Sequence, residues 1–174
     1  LYGNHAKNTM ISEGIKENKL FVIYNSLDYE KQLKVRAKLK PSNIFKNHFS
    51  NDLPTIIYVG RIQKNKKVEL LINAADNLIR NGKNCNLVII GAEVESLNLY
   101  DKIVKKGLIK NIWLFGPCYD EISLGELIYN SNICVVPGDV GLSIMHSFVY
   151  GIPVITHNNF PSHGPEFEAI DPGV

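Results

Sequence analysis

The chain has 174 residues, of which 45% are hydrophobic and 21% charged, with a formal net charge of +2. This length suits one domain with a substantial core, and the composition is typical of soluble globular proteins rather than of disordered chains. The basic clusters, such as Lys64, Lys66 and Lys67, are short and isolated. The charge pattern therefore predicts solvated faces and no nucleic-acid partner.

The cysteines and apolar runs favour a cytoplasmic protein. Cys85, Cys118 and Cys134 form no CxxC pair and leave an odd thiol, which predicts free thiols and no metal site. No signal peptide is visible, and apolar runs such as 132–137 fall short of the roughly 20 residues that a membrane helix needs. Peripheral contact with the inner face of a membrane is compatible with this sequence.

Residues 1–40 differ in pattern from the rest. The chain begins without an initiator Met inside a predicted helix, 1–17. The apolar run 20–24 predicts a strand, and the charged segment 29–39 predicts a helix. Asparagine, serine and proline in 40–52 predict a linker or boundary loop.

We therefore assign 1–40 to the end of a preceding lobe and its linker, and 41–174 to one domain. The final residues, 171–174, stop without a closing helix, which predicts truncation at this end too.

From residue 53 onwards, β-branched runs alternate with helical periodicity. The predicted strands are 55–59, 86–90, 111–115, 132–136 and 153–156, and the predicted helices between them are 68–81, 97–106, 122–129 and 143–150. Each strand ends near a glycine or a proline, or at the last loop. This order predicts an α/β fold with a doubly wound, Rossmann-like parallel sheet.

Two segments after predicted strands offer anion sites, because ligands bind at the carboxyl ends of parallel strands. Gly60 lets a ligand approach the backbone, and Arg61 and Lys66 supply positive charge. An ordinary charged loop before a helix would have the same composition.

The second segment is 137–146. Gly138 and Gly141 lead into a helix that starts at Ser143, where backbone N–H groups and the helix dipole favour an anion. His146 lies about one turn further on. A routine capped helix with a satisfied histidine is the alternative. The GxGxxG and GxxxxGK[ST] patterns are absent after every predicted strand, so a diphosphate fits better than a nicotinamide dinucleotide.

Several segments in order resemble the group 1 glycosyltransferases, which are retaining enzymes of family four with the GT-B fold. YVGRIQKNK at 58–66 is similar to the "VGRL…KG" start of their second lobe, and DVGLSIMHSFVYGIPV at 139–154 is similar to their "GFGLxxxEAMAxGxPVI" segment. Segments 21–28, 70–74, 87–91 and 112–116 also resemble this family.

The resemblance implies a role for each candidate residue. Arg61 and Lys66 would neutralise the donor's diphosphate and assist the leaving group. The backbone of Gly141 and Leu142 would hold the phosphates. The loop after the third strand, which consists of Gly116, Pro117, Cys118 and Tyr119, would flank the base. His157, His163 and Glu166 would face the donor sugar, or belong to an ordinary polar loop.

The sequence departs from the family motif at positions that bear on the site. Two glutamates, which touch the sugar and hold the ribose, are replaced by Gly138 and His146. Gly138 has no side chain for a sugar contact, whereas His146 can still bond a ribose hydroxyl. The pattern Gly-x-x-Gly-Leu-Ser-x-x-His-Ser resembles that of a subgroup of bacterial capsule and surface-polysaccharide transferases, which have the same exchange. Lys67 replaces a glycine, which we interpret as a minor change.

The resemblance implies transfer of a sugar from a nucleoside diphosphate sugar, with no cofactor, to a saccharide or lipid-linked acceptor in polysaccharide biosynthesis. It implies that a missing N-terminal lobe is needed, and that this chain alone turns over nothing. A non-catalytic GT-B-like binding subunit of a glycosyltransferase complex is the alternative, and a sugar-nucleotide epimerase or a nicotinamide-binding domain fits less well.

Overall fold

A computed structural model of the chain describes residues 1–94 and 96–170. The expectation that the chain stops without a closing helix falls on 171–174, which lie outside the described residues. Within the described part, no helix has both the length and the hydropathy that crossing a membrane requires.

The fold is built on a parallel sheet of five strands in the order β3-β2-β1-β4-β5. The strands are β1 (Thr55–Val59), β2 (Asn86–Ile90), β3 (Ile112–Gly116), β4 (Ile133–Val136) and β5 (Val154–Thr156). Because β2 and β4 lie on opposite sides of β1, the direction of winding reverses there. The loops that follow β1 and β4 therefore part and leave a crevice between them.

Helices cover both faces of this sheet. The described residues form α1 (Asn4–Ser12), α2 (Tyr29–Arg36), α3 (Ile44–Phe49), α4 (Val68–Arg80), α5 (Leu99–Lys105), α6 (Glu121–Tyr129) and α7 (Ser143–Tyr150). One core contains Leu71 of α4 and Ile103 of α5, and the other contains Leu127 of α6 and Ile144 of α7. All of β2 is buried, because its side chains alternate between the two cores. This architecture confirms the predicted doubly wound α/β fold.

The strands and helices predicted from residue 53 onwards are all present, with bounds that agree to within two residues. The ranges for β1, β2 and α7 agree with the structure at both ends. The other strands and α4 to α6 differ by one or two residues, a difference that is usual at fraying ends.

The N-terminal predictions are partly wrong. The helix predicted over 1–17 ends at Ser12, and Gly14 takes a φ of +90° before a separate 3₁₀ turn at Glu17–Lys19. No residue of α1 is buried, so no packing stabilises a longer helix. The predicted strand 20–24 is absent, because the segment pairs with no strand of the sheet and leaves Phe21 73% exposed. The helix predicted over 29–39 ends at Arg36.

The loop predicted over 40–52 contains α3. Phe45 of this short helix is buried in the core beside α6 and α7, and the ring of His48 stacks on Trp113 with centroids 3.7 Å apart. These contacts are made to residues distant in the chain, so polar composition alone gave the wrong assignment. The predicted division at residue 40 stays a prediction, and α2 packs against α6 and α7.

Candidate functional site

A cavity of about 380 Å³ opens in the crevice between the loops that follow β1 and β4. The residues predicted for the loops after β1 and β4 that line it are Gly60, Arg61, Lys66, Gly141, Leu142 and Ser143. They come from two segments far apart in sequence, and the reversal of winding beside β1 brings them together.

Arg61 lies on one wall of the cavity with an exposed side chain. Its backbone oxygen accepts a hydrogen bond of 2.9 Å from the hydroxyl of Tyr58, which is fully buried. Burial raises the pKa of Tyr58 far above its usual range, so this phenol stays a donor at any ordinary pH. The bond fixes the backbone that carries the guanidinium.

Lys66 ends a 3₁₀ turn, Lys64–Lys66, and its ammonium points across the crevice. The ammonium donates to the backbone oxygen of Asp139 at 2.7 Å and to Oδ2 of the same residue at 3.1 Å. The lysine side chain is only 13% exposed, so its position is well defined by these contacts.

The N-terminus of α7 forms the opposite wall. No side chain in the described ranges, 1–94 and 96–170, caps this helix. Within the described residues, no protein acceptor takes the backbone N–H groups of Gly141, Leu142 and Ser143. Uncapped N–H groups at a helix N-terminus, together with the helix dipole, bind anions. With Arg61 and Lys66, this wall can hold a diphosphate.

Asp139 joins three loops at this point, although no pattern in the sequence identifies it as a site residue. Its Oδ1 accepts the N–H of Gly164 at 3.0 Å, its Oδ2 accepts from Asn65 at 3.2 Å as well as from Lys66, and its own N–H donates to the oxygen of Asn65. The motif that 139–154 resembles has glycine at this position, so the resemblance gave no signal for a carboxylate.

Gly138 does not line the cavity but packs against the backbone of the neighbouring loop. A Cβ added there would lie 2.2 Å from the oxygen of Asn65 and 2.6 Å from the carbonyl carbon of Lys66. Only glycine allows this approach, which places Asp139 beside the ammonium of Lys66.

His146 does not line the cavity either. Its Nδ1 lies 3.3 Å from Nε2 of Gln32 and 4.0 Å from Oε2 of Glu121. Burial lowers the pKa of His146, while the charge of Glu121 opposes that shift. Gln32 belongs to α2, in the segment assigned to a linker, and no local pattern could have identified it as a contact.

The cluster around His146 contains unsatisfied groups. Gln32 Oε1, Glu121 Oε2 and the hydroxyl of Tyr150 are buried without a hydrogen-bond partner within the described residues. Burial raises the pKa of Tyr150 to about 12.

The predicted base-flanking loop lies outside the cavity lining. Gly116 ends β3 with a φ of +86°, Pro117 and Cys118 follow it, and Tyr119 is 87% exposed. Burial raises the pKa of the Cys118 thiol. The loop then enters α6, which approaches α7 through Glu121 and His146.

The loop after β5 reaches the cavity through Glu166. This carboxylate is 8% exposed, lines the cavity, and accepts a 2.7 Å hydrogen bond from Asn25. His163 accepts the N–H of Val140 at Nδ1, so its Nε2 carries the proton and donates to the oxygen of His157 at 2.9 Å. His163 thereby ties this loop to the loop after β4.

The cysteines are free thiols, with Cys85 and Cys134 buried. In the described part of the chain, no three His, Cys, Asp or Glu side chains meet in a way that could hold a metal ion. The expectation that the reaction needs no cofactor stays a prediction.

A family model described as "Glycosyl transferases group 1" matches residues 40–165. Alpha-D-kanosaminyltransferase of Streptomyces kanamyceticus is 33% identical over 116 residues, which cover 62% of this chain and 28% of that protein. An uncharacterized 41.2 kDa protein in the cps region of Klebsiella pneumoniae is 26% identical over 151 residues, or 85% of this chain and 39% of that protein. The chain thus spans less than half the length of these curated relatives.

Among solved structures, Anabaena Alr3699/HepE in complex with UDP matches with a TM-score of 0.73. The identity is 17%, and the match covers 99% of this chain and 47% of that chain. At this identity the likeness shows the fold alone.

Proposed function

The chain belongs to the group 1 glycosyltransferases and has the fold of a GT-B glycosyltransferase lobe, and we propose that its cavity between the β1 and β4 loops binds the diphosphate of a nucleoside diphosphate sugar. The observation that carries this proposal is the convergence of Arg61, Lys66 and the uncapped N-terminus of α7 on one cavity. Two cations and free N–H groups suit a ligand with two adjacent phosphates.

The proposed reaction breaks the bond between the sugar's anomeric carbon and the diphosphate oxygen, which keeps the electron pair of that bond. The oxygen of the acceptor hydroxyl forms the new bond to the anomeric carbon, and the hydroxyl proton passes to the leaving diphosphate. Negative charge grows on the leaving diphosphate, so Arg61 and Lys66 would stabilise the transition state more than the ground state. We propose retention of configuration on the strength of the family resemblance alone.

The nucleoside would lie towards α6 and the loop after β3. The exposed ring of Tyr119 offers a stacking surface for a base. Because Gln32 occupies Nδ1 of His146, only Nε2 is left to bond a ribose hydroxyl.

We further propose that the chain works with a preceding lobe that holds a saccharide or lipid-linked acceptor. The lengths of the curated relatives support a second lobe. The motif resemblance, together with the relative from a cps region, supports a place in polysaccharide biosynthesis.

Calorimetric titration with UDP, GDP and ADP tests the proposal. We expect at least one nucleotide to bind, and Arg61→Ala and Lys66→Ala each to weaken its affinity about tenfold or more, because each removes a charge-assisted contact. Lys102→Ala, which removes a lysine of α5 that pairs with Glu69 outside the cavity, is the matched control and should leave the affinity unchanged. Absence of binding at millimolar concentrations would exclude the donor site.

A non-catalytic GT-B-like binding subunit is the second candidate. It is favoured by Gly138, where a side chain that could touch the sugar does not fit. Sugar release from a panel of nucleoside diphosphate sugars, measured with the protein joined to its preceding lobe, separates the two. Turnover supports the enzyme, and nucleotide binding without turnover supports the subunit.

A further inference from the structure

The cavity holds carboxylates as well as cations. The charged side chains that line it are Arg61, Lys66, Asp139 and Glu166. Asp139 lies beside the proposed diphosphate position, because its Oδ2 is 3.1 Å from the ammonium of Lys66. A ligand phosphate that contacts Lys66 must therefore approach a fixed negative charge.

The Asp139 carboxylate is fixed in position by hydrogen bonds. Hydrogen bonds from the N–H of Gly164 and the amide of Asn65, at 3.0 and 3.2 Å, fix its two carboxylate oxygens. The carboxylate therefore has little freedom to turn away when an anion enters, and its charge acts on whatever binds beside Lys66.

Substrate and product of the proposed reaction differ in charge at this position. In a nucleoside diphosphate sugar the terminal phosphate is esterified, whereas in the free nucleoside diphosphate it ionises a second time near pH 6 and carries about one more negative charge at neutral pH. The Asp139 carboxylate repels that additional charge.

Resting on the proposed function, we infer that Asp139 is a specificity-determining residue that favours the sugar donor over the free nucleoside diphosphate. The pairing of Asp139 with Lys66 lowers the net attraction for the more highly charged product. The site thereby limits inhibition by its own product and favours product release.

The test is the ratio of the affinities for a nucleoside diphosphate and its sugar conjugate, measured by calorimetry at neutral pH. The probes are UDP with UDP-glucose, GDP with GDP-mannose, and ADP with ADP-glucose. Asp139→Asn keeps the size of the side chain and removes its charge. We expect this variant to bind the nucleoside diphosphate more tightly relative to the conjugate, by about threefold to tenfold. Asp139→Gly should change the ratio in the same direction.

Asp101→Asn, on the exposed surface of α5, is the charge-matched control and should leave the ratio as in the wild type. If the wild-type chain binds no nucleotide, the proposed function fails, and this inference fails with it. If nucleotides bind but the ratio for both Asp139 variants equals that of the wild type or of the control, only this inference is overturned.

Discussion

The amide nitrogen of Gln32 lies 3.3 Å from Nδ1 of His146. This contact joins α2, which precedes the sheet in the chain, to α7, whose N-terminus lines the cavity. An amide donating to Nδ1 requires that this nitrogen be unprotonated, so the contact favours the neutral imidazole. Burial acts in the same direction, because it lowers the pKa of His146.

Folding stability should therefore decrease as the pH falls below about 6.5. The unfolded chain binds a proton on His146 in this range, whereas the folded chain does so only at a lower pH. Burial also lowers the pKa values of His48 and His157, which add to the effect. Carboxylates with lowered pKa values, such as Glu168, stabilise the folded chain at higher pH, and this stabilisation is lost only below about pH 4.5.

Urea unfolding at about pH 7 and about pH 5.5 measures this dependence on either side of the usual histidine pKa. His146→Gln should lose less stability than the wild type over this interval. An equal loss in both proteins would show that His146 does not contribute.

Gly138→Ala should destabilise the chain by about 1–3 kcal/mol, as overpacking usually does. The added methyl group would lie 2.2 Å from the oxygen of Asn65, so one of the two loops must move. Thermal unfolding measures the loss. Gly141→Ala is the matched control, because its nearest contact would be the Lys66 ammonium at 3.7 Å, an ordinary distance. Equal destabilisation by the two substitutions would contradict the close approach at Gly138.

Lys67→Gly should stabilise the chain. Lys67 takes a left-handed conformation with a φ of 52°, which costs a residue with a Cβ about 1 kcal/mol or more and costs glycine almost nothing. This backbone conformation explains why the family motif has glycine here. The replacement by Lys67 therefore costs more folding stability than we expected from the sequence. Urea unfolding measures the gain, and Lys16→Gly, at a φ of −62°, should give none. A loss of stability in Lys67→Gly would contradict this account.

The sequence predicts the centre of the sheet well because β1 and β2 are buried on both faces. Such strands must be continuous β-branched runs, and β1 and β2 are recognisable without any knowledge of their neighbours. The same burial does not occur at 20–24, where an apolar run stays exposed. Hydrophobicity alone cannot tell these two cases apart.

The convergence of Arg61 with the start of α7 follows from the parallel topology and could be inferred before the structure. The roles of Asp139 and Gln32 could not be inferred from the sequence, because they depend on contacts with residues distant in the chain, such as Lys66 and His146. The close packing of Gly138 could not be predicted from the sequence either, since it depends on how closely two loops approach each other.

The most direct test of the diphosphate site is to follow backbone amide chemical shifts while the nucleotide that binds most tightly is added. We expect the largest changes at Gly141, Leu142 and Ser143, whose N–H groups would donate to the phosphates. A larger cavity of about 540 Å³ lies beside α1 and is lined by apolar groups such as Phe160. Changes concentrated there, with none at 141–143, would contradict the proposed diphosphate site.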